Sequence, residues 1–460
     1  MESIWSKETK INDRESFIGN GKAEVVVIGA GMAGLLVARS LKKYGLDVVV
    51  LEADKIGSGQ TKNTTAKITS QHGLFYDKLI KKVGKEKAER YAIANQKAIS
   101  EYQRIIEEEN IECDFERLPA YLYSTDLSEN EGIEKLQNEV RAANSLGIRA
   151  ELEKECELPF KVNGVLKFGG QAQFNPLKFI EHISKDLTIY ENSRVLCVKD
   201  HMVYTERGDI WGDNIVFATH YPFVNVPGLY FLRQHQERSY VLALENTQKL
   251  NGMYYGIEEN GLSFRSSKDL LLLGGAGHRT GNNEKFIKEN ECKCGQKLGI
   301  YDYLRNQAKE FYPNCKEVTH WSAQDCVTHD EIPFIGRYSY LRPYWYVATG
   351  FKKWGMTSSM VSAMIISDEI IGNISPYSEV FTPQRLNMKA SYKNLIKDMG
   401  ISIIGLSKGH FTNKTPKCKH LGCALSWNED EKTWECPCHG SRFDKDGKLI
   451  DDPAQTDLEI

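Results

Sequence analysis

A glycine pattern near the start of the chain constrains the fold more than any other feature. Residues 29–34, GAGMAG, have the form G-x-G-x-x-G. They follow a β-branched run at 23–28 and open a segment, 32–44, whose apolar residues recur at helical spacing. Residues 47–51 (DVVVL) predict a second strand, so together these segments predict a βαβ unit. The chain is therefore expected to begin with an α/β domain.

The three glycines of this pattern suit the binding of a dinucleotide. Gly29 permits the tight turn, Gly31 lets the backbone approach a pyrophosphate, and Gly34 permits close packing of helix and strand. The phosphates would then meet the positive end of the helix dipole. Glu52 ends the second strand, where an acidic side chain can bind ribose hydroxyls. A glycine turn in an ordinary βαβ unit is the alternative, and this acidic residue counts against it.

The next loop favours FAD over NAD as the dinucleotide. Residues 57–67 (GSGQTKNTTAK) are rich in glycine and hydroxyl side chains, whose donors suit further phosphate or flavin contacts. The candidate cofactor-binding residues in this loop are Thr61, Thr64, Thr65 and Ala66.

With this order of motifs the chain resembles the D-amino-acid oxidase and glycine oxidase superfamily of FAD enzymes. The resemblance returns at residues 330–336 (DEIPFIG) and 348–357 (ATGFKKWGMT), and it extends over residues 20–380. In that superfamily a closing strand and a helix N-terminus approach the pyrimidine side of the flavin. The resemblance therefore implies that Gly350, Gly355 and Met356 also bind the FAD.

The C-terminal part of the chain carries a pattern of metal ligands. It consists of a C-x-H pair and, fifteen residues later, a C-x-x-H pair, formed by Cys418, His420, Cys436 and His439. Two thiolates on one iron and two imidazoles on the other hold a Rieske-type [2Fe–2S] cluster, with a potential of about −150 to +300 mV. A zinc site is the alternative, but zinc fingers usually group cysteine with cysteine and histidine with histidine. The interleaved order favours the cluster.

The residues around these ligands (CKHLGC and CPCHGS) resemble the Rieske proteins of cytochrome bc complexes. The resemblance implies a disulfide between Cys423 and Cys438 that joins the two ligand loops. It also implies that the Ser441 hydroxyl bonds to a bridging sulfide. Phe443 stands where members with high potentials have a tyrosine, so one hydrogen bond is lost and a lower potential is expected.

Over nearly its whole length the chain resembles a family of bacterial FAD-dependent oxidoreductases with a C-terminal Rieske domain. The predicted fold class is α/β, with a Rossmann-like FAD-binding domain, a discontinuous antiparallel substrate domain and a small all-β Rieske module. Few strand-forming residues separate residue 380 from Cys418, so the base of this module is expected to be abbreviated or completed by the flavin domain. The predicted boundaries are 1–380 for the flavin domain (fingerprint 23–67, antiparallel part 225–325, closing segment 326–375), 381–410 for an irregular linker, and 411–460 for the module.

Composition and charge exclude several other classes of protein. The 460 residues are 41% hydrophobic and 26% charged, as in a globular protein. A net charge of −3 gives no basic surplus for nucleic-acid binding. The longest apolar run, 25–38, is shorter than the roughly 20 residues that cross a bilayer, and the N-terminus lacks a secretory signal. We expect a cytoplasmic protein without a transmembrane segment.

The eleven cysteines also favour a metal site over a disulfide framework. Seven are scattered over the first 326 residues, whereas four cluster between Cys418 and Cys438. Cys292 and Cys294, with Cys315 and Cys326, raise the question of a second metal site. A C-x-C pair is not a usual structural zinc pair, and we predict no second site.

Substrate-binding residues are expected on the antiparallel sheet beside the flavin. Oxidases of the superfamily hold a substrate carboxylate there with an arginine, and Arg265 lies on a predicted strand. Arginine suits this role because its guanidinium can bind a carboxylate through two hydrogen bonds. A structural arginine is the alternative. His278 and Arg279 are weaker candidates for the same pocket, and His72 either faces the flavin or caps a loop.

The two cofactors together predict a dehydrogenase. A small organic substrate, in our hypothesis an amine or an amino acid, would give a hydride equivalent to the flavin, and electrons would pass to the cluster. The tethered cluster supports this hypothesis, because an oxidase that uses oxygen needs no such exit. The alternatives are a relay or redox sensor without a small substrate, and a docking module with a vestigial cluster. The sequence leaves the substrate, the electron acceptor and the oligomeric state open.

Overall fold

The computed structural model describes residues 2–126, 131–283, 286–287, 298–385, 388–411 and 415–459. None of the described helices is long and apolar enough to span a membrane. The helices are α1 (Ile4–Glu8), α2 (Met32–Lys43), α3 (Tyr76–Val83), α4 (Lys85–Glu108), α5 (Glu131–Ser145), α6 (Pro176–Ile183), α7 (Ile300–Phe311), α8 (Gly355–Ile370), α9 (Ser378–Phe381) and α10 (Met388–Phe411). The strands are β1 (Gly19–Ile28), β2 (Val48–Leu51), β3 (Lys67–Ile68), β4 (Glu116–Arg117), β5 (Ala120–Ser124), β6 (Ala150–Glu153), β7 (Gly164–Phe168), β8 (Ala172–Gln173), β9 (Thr188–Tyr190), β10 (Val195–Lys199), β11 (Met202–Thr205), β12 (Gly208–Phe217), β13 (Gln234–Glu245), β14 (Met253–Gly256), β15 (Ser263–Ser267), β16 (Leu270–Arg279), β17 (Lys316–Thr328), β18 (Phe334–Ser339), β19 (Arg342–Thr349), β20 (Ser426–Asn428), β21 (Thr433–Glu435), β22 (Arg442–Asp444) and β23 (Leu449–Asp451).

The first sheet confirms the βαβ unit predicted from the glycine pattern. β1 pairs in parallel with β2 on one side and with β12 on the other. The main path of the sheet is β10-β11-β12-β1-β2-β9, and β19 with β18 extends it from β12. α2 and α8 pack together, and their buried side chains share one core with β1 and β2.

The second sheet has the order β17-β13-β16-β15-β14-β5-β7-β6. Neighbouring strands are antiparallel except for β5 and β14, which pair in parallel. The predicted antiparallel part spans residues 225–325, and the structure adds three strands from residues 120–168. These strands cover the edge that β14 would otherwise expose to water.

The segment predicted as an irregular linker is largely helical, because α10 occupies Met388–Phe411. Two glycines of α10 permit a close contact with the C-terminal module. An ideal Cβ at Gly405 would lie 2.6 Å from the Cys438 sulfur, and one at Gly409 would lie 2.2 Å from the Gly422 carbonyl oxygen. The three prolines near this segment, Pro376, Pro383 and Pro416, favour an irregular chain, but all three lie outside the helix.

The C-terminal module, residues 415–459, is a small antiparallel sheet of four strands, β20-β21-β22-β23, with three residues in each. Its apolar core is correspondingly small and includes Leu425, Phe443 and Ala454. Side chains of β13 and β17 pack on the module and bond to it, as detailed below. The second sheet therefore supplies a base for the module.

β13 presents alternate side chains to two different surroundings. Gln236 and Arg238 point to the C-terminal module, where they bond to the His439 carbonyl (2.9 Å) and to Glu431 (2.9 Å). On the other face, His235 and Glu237 line a large cavity. This alternation follows from the two-residue period of a strand. β13 therefore contacts the module through one set of side chains and the cavity through the other, and module residues 450–452 also line the cavity.

A cluster of charges is buried at the contact between β13 and the module. The Arg238 side chain has no exposed surface, and it lies 2.9 Å from Glu431 and 3.4 Å from Glu435. Arg442 lies 3.2 Å and 3.5 Å from the same two carboxylates, and it also pairs with Asp451 at 2.7 Å. Removing one partner from such a group leaves a charge buried without compensation.

Replacing Arg238 with methionine should destabilise the chain. The change leaves Glu431 and Glu435 with one arginine between them, and breaking a buried pair in this way costs about 3–5 kcal/mol. Urea denaturation followed by tryptophan fluorescence measures the free energy of unfolding. The control is Arg104→Met on α4, which removes exposed ion pairs worth about 0–1 kcal/mol. Equal losses in the two variants would contradict the role of the buried charges.

Candidate functional site

A cavity of about 980 Å³ lies between the first sheet, the second sheet and the C-terminal module. It is lined by residues of the glycine pattern, by the loop at 57–65, by β13–β17 and by residues 450–452. Small-molecule and cofactor sites have volumes of about 300–1,000 Å³, so this cavity suits a large ligand.

The three glycines of the fingerprint have different surroundings. At Gly29, with φ of +106°, a Cβ would lie 2.6 Å from the Ala218 carbonyl oxygen. At Gly34 a Cβ would lie 1.9 Å from the Gly29 carbonyl oxygen, so the helix can approach the strand only with glycine here. Gly31 lines the cavity, and its nearest neighbour would be the Thr61 hydroxyl at 3.3 Å. The backbone at Gly31 therefore faces the cavity beside the Thr61 hydroxyl.

Glu52 occupies the position predicted for ribose binding. Its carboxylate accepts hydrogen bonds from the backbone N–H groups of Ala30 (2.7 Å) and Asp54 (2.9 Å). Burial raises the pKa of Glu52, while these two donors act to lower it. The carboxylate is tied to the glycine turn and lines the cavity.

The loop after the fingerprint supplies three of its four predicted residues to the cavity, Thr61, Thr64 and Thr65. Ala66 does not line the cavity, and its φ of +55° turns the chain. The Ala66 N–H donates to the Thr64 hydroxyl at 2.9 Å. The Trp5 indole donates to the Thr64 carbonyl at 2.8 Å, so α1 holds this loop in place.

Of the three residues predicted in the closing segment, Gly355 and Met356 line the cavity at the start of α8. Gly350 lies outside the lining and has φ of +75°. A Cβ at Gly350 would lie 2.3 Å from a methyl group of Thr328. Gly350 therefore acts in the backbone turn that leads to α8.

The structure places Arg265 away from the cavity. Its guanidinium is buried and donates to the carbonyls of Thr65 (2.5 Å), Ala66 (3.0 Å) and Ser266 (3.3 Å). The Trp5 ring lies 5.4 Å from it. The prediction that Arg265 binds a substrate carboxylate is therefore not supported, because the loop covers this arginine and occupies its donors. Arg265 instead holds the loop.

Lys67, which the sequence analysis did not single out, lines the cavity instead. Its ammonium donates to the Tyr254 carbonyl at 3.3 Å and to the Ser263 hydroxyl. Burial, together with the positive charge of Arg265, lowers the pKa of Lys67 to about 7. No carboxylate of the described residues forms an ion pair with it. Its place at the end of the hydroxyl-rich loop, residues 57–67, is the signal that could have identified it.

The two histidines weighed from the sequence differ in position. His278 lines the cavity, where its ring stacks on Tyr240 with centroids 5.6 Å apart. Burial lowers the pKa of His278, and its Nε2 has no hydrogen-bond partner among the described residues. His72 is buried outside the cavity lining, with its ring nitrogens 2.8 Å from the Tyr91 hydroxyl and 2.8 Å from the Thr69 carbonyl. His72 therefore has a structural role.

The four predicted metal ligands come together in the C-terminal module. The rings of His420 and His439 have centroids 5.0 Å apart, and the Cys418 and Cys436 thiols are hydrogen bonded to each other. Nδ1 of each histidine is buried without a partner among the described residues. Burial lowers the pKa of His420 to about 4 and that of His439 to about 3, so both rings are neutral. Paired sulfurs and two free imidazole nitrogens fit the donor set of a Rieske cluster.

Cys423 and Cys438 form a disulfide. Their sulfurs and that of Cys436 all lie within 4.8 Å of one another, so the disulfide adjoins the ligand pair. Ser441 bonds to the Cys418 thiol, as its predicted position near the cluster requires. Phe443 is fully buried in the core of the module.

The question of a second metal site rests on cysteines that the structure describes only in part. Cys292 and Cys294 lie outside the described residues. Cys315 is buried, and its thiol donates a hydrogen bond to the Ala308 carbonyl at 3.7 Å. Cys326 is a buried free cysteine on β17.

Comparison with known families agrees with this geometry. A family model described as FAD dependent oxidoreductase matches residues 24–369, and a model of the Rieske [2Fe-2S] domain matches residues 379–460. The chain belongs to the FAD-dependent oxidoreductase family. Its C-terminal module is a Rieske domain, and its cofactors are FAD and a [2Fe–2S] cluster.

Individual relatives support both parts of this assignment. The chain is 33% identical over 502 aligned residues to YhfW of Bacillus subtilis (strain 168), whose name describes a Rieske 2Fe-2S iron-sulfur protein, and the match covers 98% of this chain and 96% of that relative. The cytochrome b6-f complex iron-sulfur subunit of Nostoc punctiforme is 40% identical over 68 residues, 15% of this chain and 31% of that subunit.

Solved structures share the fold of the flavin domain. L-proline dehydrogenase from P. horikoshii superposes with a TM-score of 0.64 at 19% identity, covering 80% of this chain and 98% of that one. Glycine oxidase from Geobacillus kaustophilus gives a TM-score of 0.64 at 15% identity, covering 80% and 99%.

Replacing Cys436 with serine should remove the cluster and spare the FAD. Iron–sulfur clusters require soft thiolate ligands, and Cys436 does not line the cavity that accepts FAD. Iron, acid-labile sulfide and flavin per chain measure the outcome. The matched control is Cys197→Ser, a half-buried free cysteine on β10, which should keep both cofactors. Retention of the cluster in C436S would contradict the assignment of this ligand.

Proposed function

We propose that the chain is a dehydrogenase that oxidises a small organic substrate, an amine or an amino acid, and releases electrons through the Rieske module to a separate acceptor. When bound, FAD supplies hydride chemistry and the cluster supplies one-electron transfer. Besides the ligand cysteines Cys418 and Cys436, five described cysteines are free, and they support a reducing compartment, the cytoplasm: Cys113, Cys156, Cys197, Cys315 and Cys326.

The observation that carries this proposal is the extent of the cavity. It continues beyond the fingerprint and the hydroxyl-rich loop to β14, β15 and β16, where the side chains of Tyr255, Ser263 and His278 line it. A cofactor-binding cleft alone would need no such extension. We assign this part of the cavity, beside β14, β15 and β16, to the binding of a substrate.

Side chains of the extension can orient a substrate and shield it from water. The rings of Tyr255 and Trp354 lie with centroids 5.8 Å apart and form an aromatic wall. Lys67 places a cation on the cavity wall, and an anionic group of a substrate would give it the partner that the described residues do not. In our proposal Lys67 takes the carboxylate-binding role first expected of Arg265.

Asp325 can receive a proton from the substrate. It lines the cavity on β17, and burial raises its pKa to about 7. An amine must lose its ammonium proton before it can give up a hydride. A carboxylate that titrates near neutral pH can take that proton, because a general base is most effective with a pKa near the working pH.

The alternative function, a relay without a small substrate, would need no cation or proton acceptor in the cavity. A dehydrogenase acting on an amino acid can use both, the cation to bind the carboxylate and the carboxylate side chain to take the ammonium proton. We therefore favour the dehydrogenase, and the two functions differ in a direct measurement.

Anaerobic titration of the purified holoprotein with a panel of amino acids and amines tests the proposal. The visible spectrum follows the flavin, and low-temperature EPR follows the cluster. A compound that bleaches the flavin and then produces the rhombic signal of a reduced Rieske cluster would establish the substrate class. If dithionite reduces both centres but no compound in the panel bleaches the flavin, the relay function is favoured.

Binding of benzoate, a carboxylate probe, should weaken as the pH rises through about 7. Below its pKa of about 7 Lys67 is charged and binds the anion; above it the charge is lost, so affinity should fall by about tenfold per pH unit. Perturbation of the flavin visible spectrum measures the dissociation constant. Lys67→Met should bind benzoate weakly at every pH, whereas Lys67→Arg should bind it with little dependence on pH between 6 and 8.5. Unchanged affinity in Lys67→Met would exclude this role.

A further inference from the structure

The second ligand loop of the Rieske module, residues 436–441, is held by side chains of the flavin domain. Four successive carbonyls of this loop accept hydrogen bonds from three residues on β13, β16 and β17. Arg279 donates to Pro437 (2.9 Å) and Cys438 (2.8 Å), Gln236 to His439 (2.9 Å), and Gln324 to Gly440 (2.8 Å).

These donors are themselves fixed. The Gln324 amide also donates to the Gln236 side-chain oxygen at 2.7 Å, so the two glutamines act as a pair. Both are buried. Arg279 forms an ion pair with Asp398 of α10, which also accepts from His235 at 2.9 Å. The loop is therefore bonded to side chains that have little freedom to move.

The contact between the loop and the flavin domain is as close as the backbone allows. A Cβ at Gly440 would lie 2.6 Å from the Gln236 Cβ. On the opposite side, a Cβ at Gly281 would lie 2.7 Å from the Pro437 nitrogen. Glycine on both sides of the interface permits the approach that the hydrogen bonds require.

The histidine edge of the ligand group is also covered by the flavin domain. Nε2 of His420 lies 3.1 Å from the Asn225 side-chain oxygen and can donate to it. The Phe231 ring lies against both imidazoles, with centroids 6.2 Å from His420 and 6.0 Å from His439. A bond to the second ring nitrogen fixes the orientation of a ligand histidine and keeps its other nitrogen available to metal.

Within the module itself, few described backbone hydrogen bonds hold the second ligand loop. Its strands have three residues each, and the two described backbone bonds that close the loop join Cys436 with Ser441 and Gly440 with Cys436. The carbonyls of residues 437–440 point to the flavin domain instead.

We propose that the flavin domain provides the outer shell of the iron–sulfur site, with Gln236, Gln324 and Arg279 as positioning residues for the second ligand loop and Asn225 for the His420 ring. The cluster is then held firmly only while the module is docked. A module of this kind does not carry its cluster between a donor and a distant acceptor. It works in one fixed position, against β13, β16 and β17.

The test compares two glutamines of β13 that are both buried and point to the same side of the strand. Gln236→Leu removes the bond to the ligand loop. Gln234→Leu is the matched control, since Gln234 contacts Thr349 and has no bond to the module. The readouts are iron and sulfide per chain, the rate at which a chelator bleaches the cluster, and the EPR spectrum of the dithionite-reduced protein. None of these requires a substrate, so their outcome is independent of the dehydrogenase proposal.

Loss of an outer-shell partner lowers metal affinity by about 10–100-fold, and we expect Gln236→Leu to lose its cluster faster by a factor in this range. The double variant Gln236→Leu/Gln324→Leu should lose it faster still, and Asn225→Ala should change the EPR g values. Bound FAD and its melting transition should stay as in the parent protein, which shows that the flavin domain remains folded. The proposal is overturned if Gln324→Leu and Gln236→Leu both keep the parent's iron content, bleaching rate and EPR spectrum, or if Gln234→Leu loses the cluster equally fast.

Discussion

The docked position of the Rieske module depends on the charges buried at its contact with the second sheet. Arg238 and Arg442 share the carboxylates of Glu431 and Glu435, and all four side chains are almost fully removed from water. Such a group adds little net stability, because every member has lost its hydration. It does select one arrangement, since a displaced module would leave a buried charge without a partner. The hydrogen bonds between the glutamines and the ligand loop all require this one arrangement.

A fixed module sets the relation between the two cofactor sites. Residues 450–452 of the module line the cavity, and Arg279, which also lines it, donates to two carbonyls of the second ligand loop. The two cofactor sites are therefore adjacent in the docked arrangement, and electron transfer between them requires no domain rotation.

The parts of the site that could be predicted from the sequence are those in which chemistry dictates residue type and spacing over a short stretch. Residues 29–34 and the two ligand pairs of the module are of this kind. The role of Arg265 could not be predicted, because its surroundings are made by a loop almost two hundred residues earlier in the chain. Lys67 was missed for the same reason, since its cavity exists only when β3 meets β14 and β15. In α10, Gly405 and Gly409 serve contacts with Cys438 and Gly422 that no local pattern in the sequence indicates.

The two-residue period of β13 has a consequence for how this chain can change in evolution. A one-residue insertion or deletion in the strand would turn Gln236 and Arg238 toward the cavity and His235 and Glu237 toward the module. Substitutions can alter either face separately, but a change of length would damage both redox sites at once. The flavin site and the iron–sulfur site therefore depend on the same alternation of side chains along β13, although each half of the chain resembles proteins that lack the other.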